Sequence, residues 1–521
     1  MFSTSVRRFG ASLTTYAPPM RVAIVGSGPS GFYAASRILH SFDAQCGTGE
    51  NGVDIHMYER LPTPFGLVRY GVAPDHPEVR NVENKFDEVA RDPRFTFLGN
   101  VQVTGGADVL SSAAVPVPLS CMAPYYTHIL FAYGASDARH LHLPGTGPDG
   151  LQHIHTAFDF VQWYNGHPDA HTPDAPFPRM KGHDLRHVAV VGAGNVALDV
   201  ARILLRQCKS APKDETLQYT DAPQPVLERL RTWDVKSVDL YVRRGAAQLA
   251  FTNKELREML NLPHAPCQPL DPAHLQQALA EVGHSDNVSH KRAMTRLLTQ
   301  LAKGCKTPYA PDHTPRWGLQ LLRSPKAFYG DKRVRQAEWD VTEVRDGRAV
   351  TTGATETTPA DLVLASVGYR SQPLAGTSPP PVPFDSQRHI IPNERRRVIR
   401  DGQPVPGMYV SGWLATGPVG IIVSTMLDAF GVADEMLTDW HAPDGKTHAH
   451  CARPSEKRRR CVAHRRLYVA SGSCRTPTGC ESMPLSASAV RHSASRVKSL
   501  YMCKICCKCY DTRGRKSTWM V

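Results

Sequence analysis

The pattern of apolar and polar residues predicts strands and helices that alternate up to about residue 440. Short apolar runs have the length and composition of buried strands; they lie at 21–25, 53–59, 127–133, 187–191, 237–242, 361–367 and 407–411. Apolar residues with helical spacing predict a helix after Ser30, one at 195–205 and one at 421–436. Such alternation is typical of the α/β class with doubly wound parallel sheets.

Two of these strands end in a glycine-rich loop that opens a helix. The first loop contains Gly26, Gly28 and Gly31. Glycine permits a tight turn and close approach of a pyrophosphate, and the helix behind it offers unpaired N–H groups. Glu59, at the end of the next strand, can accept hydrogen bonds from ribose hydroxyls. A loop with this spacing also occurs by chance, but its context here predicts a dinucleotide site.

The second loop, at 192–197, occupies an equivalent place but has a different composition. Ala197 stands where the first loop has Gly31, and the strand that follows ends in Arg243 and Arg244 instead of an acid. Two guanidinium groups there suit a ribose 2′-phosphate, which favours NADP(H) over NAD(H). The alternative is that both arginines are only solvated. Two loops of different type predict a protein that passes electrons between two dinucleotides.

Charge and cysteine are concentrated at the C-terminal end. Residues 446–521 hold 17 of the 61 Lys and Arg and 3 of the 48 Asp and Glu, so the rest of the chain is almost neutral despite a net charge of +13. Eight of the 13 cysteines lie beyond residue 450, and the others form no Cys-x-x-Cys pair. The body of the chain thus shows no disulfide framework and no redox-active dithiol. We expect residues 441–521 to be a disordered basic tail rich in cysteine.

The two ends of the chain leave further alternatives. Residues 1–20 contain Arg7 and Arg8 but no acid, a composition typical of a mitochondrial transit peptide, with a frayed terminus as the alternative. In the tail, the cysteines at 503–509 lack the second spaced pair of a metal knuckle, and few aromatic residues accompany the basic ones. We therefore expect no metal site and no nucleic-acid partner.

Several long segments match one known family in chain order. The sequence resembles the adrenodoxin reductase family, which comprises mitochondrial ferredoxin–NADP reductases with a glutathione-reductase-like fold. The matching segments are 25–33, 64–79, 194–204, 243–245, 251–258 and 411–413. The resemblance implies two Rossmann-like domains: a discontinuous FAD-binding domain at 21–134 and 362–440, and an NADP-binding domain at 135–361.

The resemblance also implies roles for individual residues. For FAD these are Gly26, Gly28, Ser30, Gly31, Glu59, Leu67, Val101, Trp413, Gly420, Ile421 and Ile422. For NADP(H) they are Ala193, Gly194, Asn195, Val196, Arg243, Arg244, Glu255 and Gly420. His76 and Asp199 match positions linked to the redox centre and partner docking, and with Glu255 they are the expected catalytic residues. A basic face that meets an acidic ferredoxin matches Arg257, Lys291 and Arg292.

One segment departs from the family pattern. Vertebrate-like members have a Lys-Arg pair after the tryptophan that matches Trp413, whereas this chain continues with Leu414, Ala415 and Thr416. Two charges near the flavin are therefore absent.

The expected activity is that of an NADPH:ferredoxin oxidoreductase. Nicotinamide gives up two electrons as a hydride and a [2Fe–2S] ferredoxin accepts one at a time, whereas FAD can do both. We expect a monomer in the mitochondrial matrix, or on the matrix face of the inner membrane with at most peripheral association.

Two alternatives remain open. One is another NADPH-dependent FAD oxidoreductase, such as a disulfide reductase or an amidotransferase electron-input subunit. The absent dithiol argues against the first of these, and the absence of cysteine-rich iron–sulfur ligation before residue 20 argues against the second. The other alternative is a non-enzymatic binding module built on the basic tail.

Overall fold

The computed structural model describes residues 19–46, 52–106, 114–147, 149–180, 182, 184–284, 286–376 and 380–442. The expected transit peptide, apart from its last two residues, and the expected tail beyond residue 442 lie outside the described residues.

Every strand and helix predicted above is present, with ends shifted by a few residues. The strands are β1 (Met20–Val25), β2 (Val53–Tyr58), β3 (Phe95–Leu98), β4 (Val101–Thr104), β5 (Val115–Pro118), β6 (His128–Phe131), β7 (Asp137–Ala138), β8 (Ile154–Thr156), β9 (His187–Val191), β10 (Ser237–Val242), β11 (Arg316–Leu321), β12 (Arg323–Tyr329), β13 (Gln336–Arg345), β14 (Arg348–Pro359), β15 (Leu362–Ala365), β16 (Tyr369–Arg370), β17 (Asn393–Glu394), β18 (Arg397–Arg400) and β19 (Gln403–Val410).

The α-helices alternate with these strands. They are α1 (Pro29–Cys46), α2 (Leu67–Tyr70), α3 (Val82–Ala90), α4 (Leu119–Met122), α5 (Ala157–Tyr164), α6 (Pro176–Arg179), α7 (Asn195–Gln207), α8 (Gln224–Leu230), α9 (Asn253–Leu260), α10 (Pro272–Gly283), α11 (Val288–Lys303), α12 (Trp413–Thr416) and α13 (Ile422–His441). Among the helices that the structure describes, none combines the length and apolar character that a membrane crossing requires.

The first sheet has the strand order β17-β18-β19-β6-β1-β2-β3, and its strands from β19 to β3 are parallel. Alternate residues of β1 serve different faces, as the pleat of a strand requires. Val22 and Ile24 pack with α1 and α13, whereas Ala23 and Val25 pack on the opposite face with residues around α4. Burial on both faces explains why β1 appears in the sequence as a continuous apolar run.

The second sheet is wholly parallel, with the order β11-β10-β9-β15-β8. Its Val190 packs under α7, and its Ala189 packs against the separate antiparallel sheet β12-β13-β14. The strand β15 belongs here, because its four buried apolar residues fill the gap between β9 and β8. The chain therefore returns to the first sheet after β15, and not at the expected boundary of residue 362.

The antiparallel sheet β12-β13-β14 has no counterpart in the predicted elements. Its outer strand β14 is exposed along nearly its whole length, so it shows no alternation of apolar residues. The sheet is joined to the second parallel sheet by Trp339, whose ring stacks on Tyr241 with centroids 3.6 Å apart.

Both glycine loops leave the middle of a sheet. The first follows β1, which lies between β6 and β2, and the second follows β9, which lies between β15 and β10. At such positions the connections to neighbouring strands diverge, and in open α/β sheets a crevice for a ligand forms there. The fold thus provides two crevices of the kind predicted.

Candidate functional site

The first glycine loop connects β1 to α1, and on the side that faces the protein interior it leaves no room for side chains. Gly26 has a φ of +106°, and a Cβ built on it would lie 2.5 Å from the Cα of Tyr133. A Cβ on Gly31 would lie 2.4 Å from the carbonyl oxygen of Gly26. Gly28 instead has open space where its Cβ would be. The loop is packed beneath and open above, which exposes the N-terminus of α1 to an anion.

Glu59 is held rigidly beside this loop. Its Oε2 accepts hydrogen bonds from the backbone N–H of Ser27 at 3.0 Å and from the Ser27 hydroxyl at 2.7 Å. Its Oε1 accepts from the N–H of Leu61 at 3.0 Å. Both lone pairs of Oε2 are used by these bonds, whereas Oε1 can accept one more, so the group is oriented to receive a ribose hydroxyl at Oε1.

A cavity of about 990 Å³ opens above the first loop. Its lining includes nine of the residues that the resemblance assigns to FAD: Gly26, Gly28, Ser30, Glu59, Leu67, Val101, Trp413, Ile421 and Ile422. The other two, Gly31 and Gly420, do not line it, although Gly420 directly precedes Ile421. Tyr133 also lines the cavity, and its buried hydroxyl has no hydrogen-bond partner among the described residues. A large cavity with such an unpaired polar atom fits a ligand that brings polar groups of its own.

Aromatic residues from the two parts of the molecule, each built on one of the parallel sheets, form one wall of this cavity. The ring of Tyr369 lies 5.5 Å from that of Trp413 and 5.3 Å from that of Phe158, centroid to centroid. Phe158 is in α5 beside the second sheet, whereas Trp413 begins α12 after the first sheet. Burial raises the pKa of Tyr369, so its phenol is neutral.

The second glycine loop reaches the same cavity. A Cβ on Gly192 would lie 2.2 Å from the carbonyl oxygen of Ser366, so this turn is pressed against the end of β15. Gly194 has open space at its Cβ position and caps the N-terminus of α7. Val196, in the first turn of α7, lines the large cavity. One continuous space therefore contacts both dinucleotide loops.

Hydrogen bonds hold the second loop against the segment that leads into α9. The N–H of Ala250 donates to the carbonyl of Ala193 at 2.9 Å. The N–H of Thr252 donates to Oδ1 of Asn195 at 2.8 Å. The loop and α9 are thus positioned together, and α9 carries Glu255.

Arg243 and Arg244 lie directly after β10, where the sequence places them. Arg243 is exposed and Arg244 is half-buried, and within the described residues neither guanidinium has an ion-pair or hydrogen-bond partner. Arg244 lines a second cavity of about 610 Å³, between the turn after β10 and helices α10 and α11. Two adjacent unpaired cations, of which Arg244 borders this cavity, are suited to a phosphate group.

A buried network of charges centres on Arg202 of α7. Its guanidinium donates to Asp75 at 2.8 and 3.1 Å, to Asp199 at 2.7 Å and to Glu255 at 3.1 Å. Arg206, one turn later, donates to Asp75 at 3.0 Å. Asp75 comes from the segment after α2, so the network joins the part of the molecule built on the first sheet to the part built on the second.

His76 adds a second link across this junction. Its Nε2 lies 2.6 Å from a carboxylate oxygen of Glu258, and its Nδ1 lies 3.8 Å from Glu255. These three residues are spaced closely enough to hold a metal ion. However, Arg202 Nη1 lies 3.1 Å from Glu255 and 3.7 Å from Glu258, so a guanidinium already supplies the positive charge.

The network separates the proton affinities of its acids. Burial alone would raise the pKa of Asp75, but hydrogen bonds and charge from Arg202 outweigh it and lower the pKa to about 2. Burial, reinforced by Asp199, raises the pKa of Glu255 to about 7. Burial also raises the pKa of Asp199. Glu255 can therefore exchange a proton near neutral pH while Asp75 stays ionised.

The structure brings the three expected catalytic residues into this network but not into the cavity lining. His76, Asp199 and Glu255 lie behind it, whereas their chain neighbours Glu78 and Val196 line the cavity. Their contacts are with Arg202, Glu258 and one another, and not with the cavity.

Sequence reasoning missed the centre of the network. Arg202 lies three residues after Asp199 in an apolar helix, so it falls on the same helical face, and a buried arginine is rare without acidic partners. That spacing was the available signal. Nothing in the sequence pairs Glu258 with His76, because 182 residues separate them.

The expected basic face spans two packed helices. Arg257 is on α9, and Lys291 and Arg292 are in the first turns of α11; all three are exposed. Lys291 donates to the carbonyl of Gly283 at 2.6 Å, which keeps its stem along the surface. The helices are joined by the Asn253 amide, which donates to the carbonyl of Ala293 at 3.0 Å.

Comparisons with known proteins agree with this geometry. A family described as pyridine nucleotide-disulphide oxidoreductase matches residues 20–236. The chain is 38% identical over 462 residues to NADPH:adrenodoxin oxidoreductase, mitochondrial, of Bos taurus, covering 85% of this chain and 84% of that protein. It is 40% identical over 437 residues to the protein of the same name in Homo sapiens, covering 81% and 79%. Among solved structures, it is similar to FprA of Mycobacterium tuberculosis in complex with NADPH, with 35% identity, a TM-score of 0.71, and coverage of 87% and 91%.

Proposed function

Since this chain belongs to the NADPH:adrenodoxin oxidoreductase family, we propose that it takes electrons from NADPH and passes them through bound FAD to a [2Fe–2S] ferredoxin. The observation that carries this proposal is the single cavity that contacts both glycine loops, through Gly28 on one side and Val196 on the other. FAD, when bound, supplies the chemistry of accepting an electron pair and releasing electrons singly.

The first loop and its surroundings hold FAD. The N-terminus of α1 at Ser30 would hold the pyrophosphate, and the fixed carboxylate of Glu59 would accept from the adenosine ribose. Gly26 and Gly31 shape the loop beneath, and Gly28 leaves room above it. The remaining contacts would come from Leu67, Val101, Trp413, Ile421 and Ile422, which line the cavity, and from Gly420, which directly precedes Ile421.

The second loop holds NADPH. Residues 193–196 present the N-terminus of α7 to the pyrophosphate, and the unpaired Arg243 and Arg244 bind the 2′-phosphate. When NADPH is bound, its nicotinamide end would reach the large cavity at Val196; Gly420, which directly precedes the lining residue Ile421, and Glu255, behind the cavity wall, would lie nearby.

The network behind the wall sets charge and orientation. His76, Asp199 and Glu255 act as positioning residues: they fix α7 and α9 against the segment after α2. Glu255 can hold a proton near neutral pH, which limits the negative charge beside the cavity.

The partner and the compartment follow from the family. We infer that an acidic ferredoxin meets Arg257, Lys291 and Arg292, since exposed cations steer association with an acidic surface. The relatives are named mitochondrial, and the acid-free composition of residues 1–20 supports a mitochondrial matrix enzyme. We also propose that it acts as a monomer.

The positions of the cysteines argue against the alternative function of a disulfide reductase. Among the residues that the structure describes, Cys121, Cys208, Cys267 and Cys305 are free thiols, and none lines the large cavity.

The test is reduction of cytochrome c by NADPH with and without added [2Fe–2S] ferredoxin. We expect cytochrome c reduction to require ferredoxin, whereas ferricyanide, a small direct acceptor, is reduced without it. Equal cytochrome c reduction in both conditions would contradict the proposal.

A further inference from the structure

Asp428 lies where three segments that are distant in the sequence meet, in the part of the molecule built on the first sheet. Its Oδ2 accepts hydrogen bonds from the hydroxyl of Ser411 at 2.9 Å and from the N–H of Gly412 at 2.7 Å. Ser411 in turn accepts from the hydroxyl of Ser30 at 2.6 Å. We propose that Asp428, on α13, is a positioning residue that shapes the FAD site from behind, an inference that rests on the proposed function.

The direction of these hydrogen bonds shows that the Asp428 carboxylate orients the hydroxyl groups of both serines. An ionised carboxylate only accepts, so Ser411 donates to Asp428 and its oxygen is left to accept from Ser30. Ser30 lines the cavity at the N-terminus of α1. The hydroxyl proton of Ser30 is therefore directed away from the cavity, and the side chain is fixed at the place expected for the pyrophosphate.

The same carboxylate fixes the turn that leads to Trp413. Gly412 has a φ of +67°, and a Cβ built on it would lie 3.0 Å from Oγ of Ser30. This turn is thus pressed against Ser30, and Asp428 holds its N–H. Since Trp413 lines the cavity, one residue aligns both the pyrophosphate end and the aromatic wall.

Arg396 completes the arrangement on the side away from the cavity. Its guanidinium contacts Oδ1 of Asp428, whose side chain is only 11% exposed. Within the described residues, Asp428 itself does not line the cavity, so its effect on FAD passes through Ser30, Ser411 and Gly412.

The chain offers a matched control on the same helix. Asp434 of α13 also binds α1, because it accepts from the guanidinium of Arg37 at 2.8 and 3.1 Å. Both residues of this pair are partly exposed and neither lines the cavity. Asp434→Ala therefore removes a carboxylate contact of the same helix α13 without touching the serine turn.

The experiment measures FAD dissociation from purified full-length holoprotein, by recovery of flavin fluorescence on dilution. We expect Asp428→Ala to raise the dissociation constant for FAD at least tenfold, and Asp434→Ala to change it less than twofold. Asp428→Asn keeps an oxygen acceptor for Gly412 and should restore part of the affinity. The visible absorption band of the bound flavin should shift in Asp428→Ala and not in Asp434→Ala, because only the former releases Trp413.

A second variant keeps the inference testable if Asp428→Ala does not fold. Ser411→Ala breaks the link between Ser30 and Asp428 but leaves the bond to Gly412, and we expect a threefold to tenfold loss of FAD affinity. FAD affinity like that of the unmodified protein in Ser411→Ala, or equal losses in Asp428→Ala and Asp434→Ala, would overturn the inference. If the unmodified protein bound no FAD, the proposed function itself would fail. That outcome is distinct from failure of the inference about Asp428, in which the unmodified protein binds FAD and the variants show no selective loss.

Discussion

The two glycine loops have the same local design but different surroundings. Both follow a central parallel strand, both turn at a glycine with positive φ, and both open a helix toward an anion. The first is completed by a carboxylate whose position is fixed by three hydrogen bonds, beside a cavity of about 990 Å³. The second is completed by two arginines that no described side chain satisfies.

This difference separates a resident cofactor from an exchanging substrate. A site whose polar groups are already oriented pays little to order them on binding, so it can retain its ligand through many turnovers. Unpaired arginines favour rapid electrostatic capture, and they gain their partner only while the ligand is present. We therefore expect changes at the first loop to abolish cofactor retention, and changes at the second to alter substrate affinity.

The largest effect is expected from Gly31→Ala. The added methyl group would lie 2.4 Å from the carbonyl oxygen of Gly26, so the loop must shift. Overpacking of this kind costs about 1–3 kcal/mol, which is roughly a 5- to 150-fold loss of FAD affinity. The measurement is the ratio of flavin to protein absorbance after gel filtration. Gly431→Ala, in α13 with open space around it, is the control and should retain FAD fully.

The second largest effect is expected from replacing Arg243 and Arg244 together by Gln. Charged hydrogen bonds are worth about 1.5–3 kcal/mol when shielded, but solvent screens this exposed pair, so we expect the loss of both arginines to raise KM for NADPH about 10-fold. NADH lacks that phosphate, so its KM should stay within about twofold. Steady-state ferricyanide reduction with each nucleotide measures both values, with Arg348→Gln, exposed on β14, as control. Equal increases for NADH and NADPH would refute the assignment of the second loop.

Much of this comparison could be predicted from the sequence, because its signals are local. Each strand runs directly into its glycines, and Glu59 or the arginine pair stands at the end of the next strand, so short-range sterics and the order of strand, helix and strand determine what they do. The network around Arg202 could not be predicted, since its partners Asp75 and Glu258 come from distant segments and become neighbours only when the two halves pack. The sheet β12-β13-β14 was also missed, because exposed β14 leaves no hydrophobic pattern.

The network between the two loops should make stability depend on pH through Glu255. Its pKa is about 7 in the folded protein and near 4.5 when unfolded, so the folded state binds the extra proton between these values. Stability contributed by that proton is present at pH 4.5 and is lost as the pH rises through 7. We expect the free energy of unfolding of the unmodified protein to fall by about 1–3 kcal/mol across this window relative to Glu255→Gln.

Urea unfolding at fixed FAD concentration, from pH 5 to 8, measures this dependence. Glu228→Gln, exposed on α8, is the control and should keep the pH dependence of the unmodified protein. Parallel curves for the unmodified protein and Glu255→Gln would show that Glu255 does not take up a proton in this range.

The smallest effect is expected from Ala197→Gly, which gives the second loop the composition of the first. Ala197 is fully buried in the first turn of α7, so its methyl group contributes to packing, and glycine also weakens the helix by about 1 kcal/mol. The melting temperature should therefore fall by a few degrees, while KM for NADPH changes less than about threefold because the loop needs no closer approach here. Thermal unfolding and steady-state kinetics on the same preparation separate the two effects. A change in KM as large as that from the arginine pair would mean that the backbone of the second loop binds its nucleotide as closely as that of the first. The distinction between a retained cofactor and an exchanging substrate would then have to rest on the arginines alone.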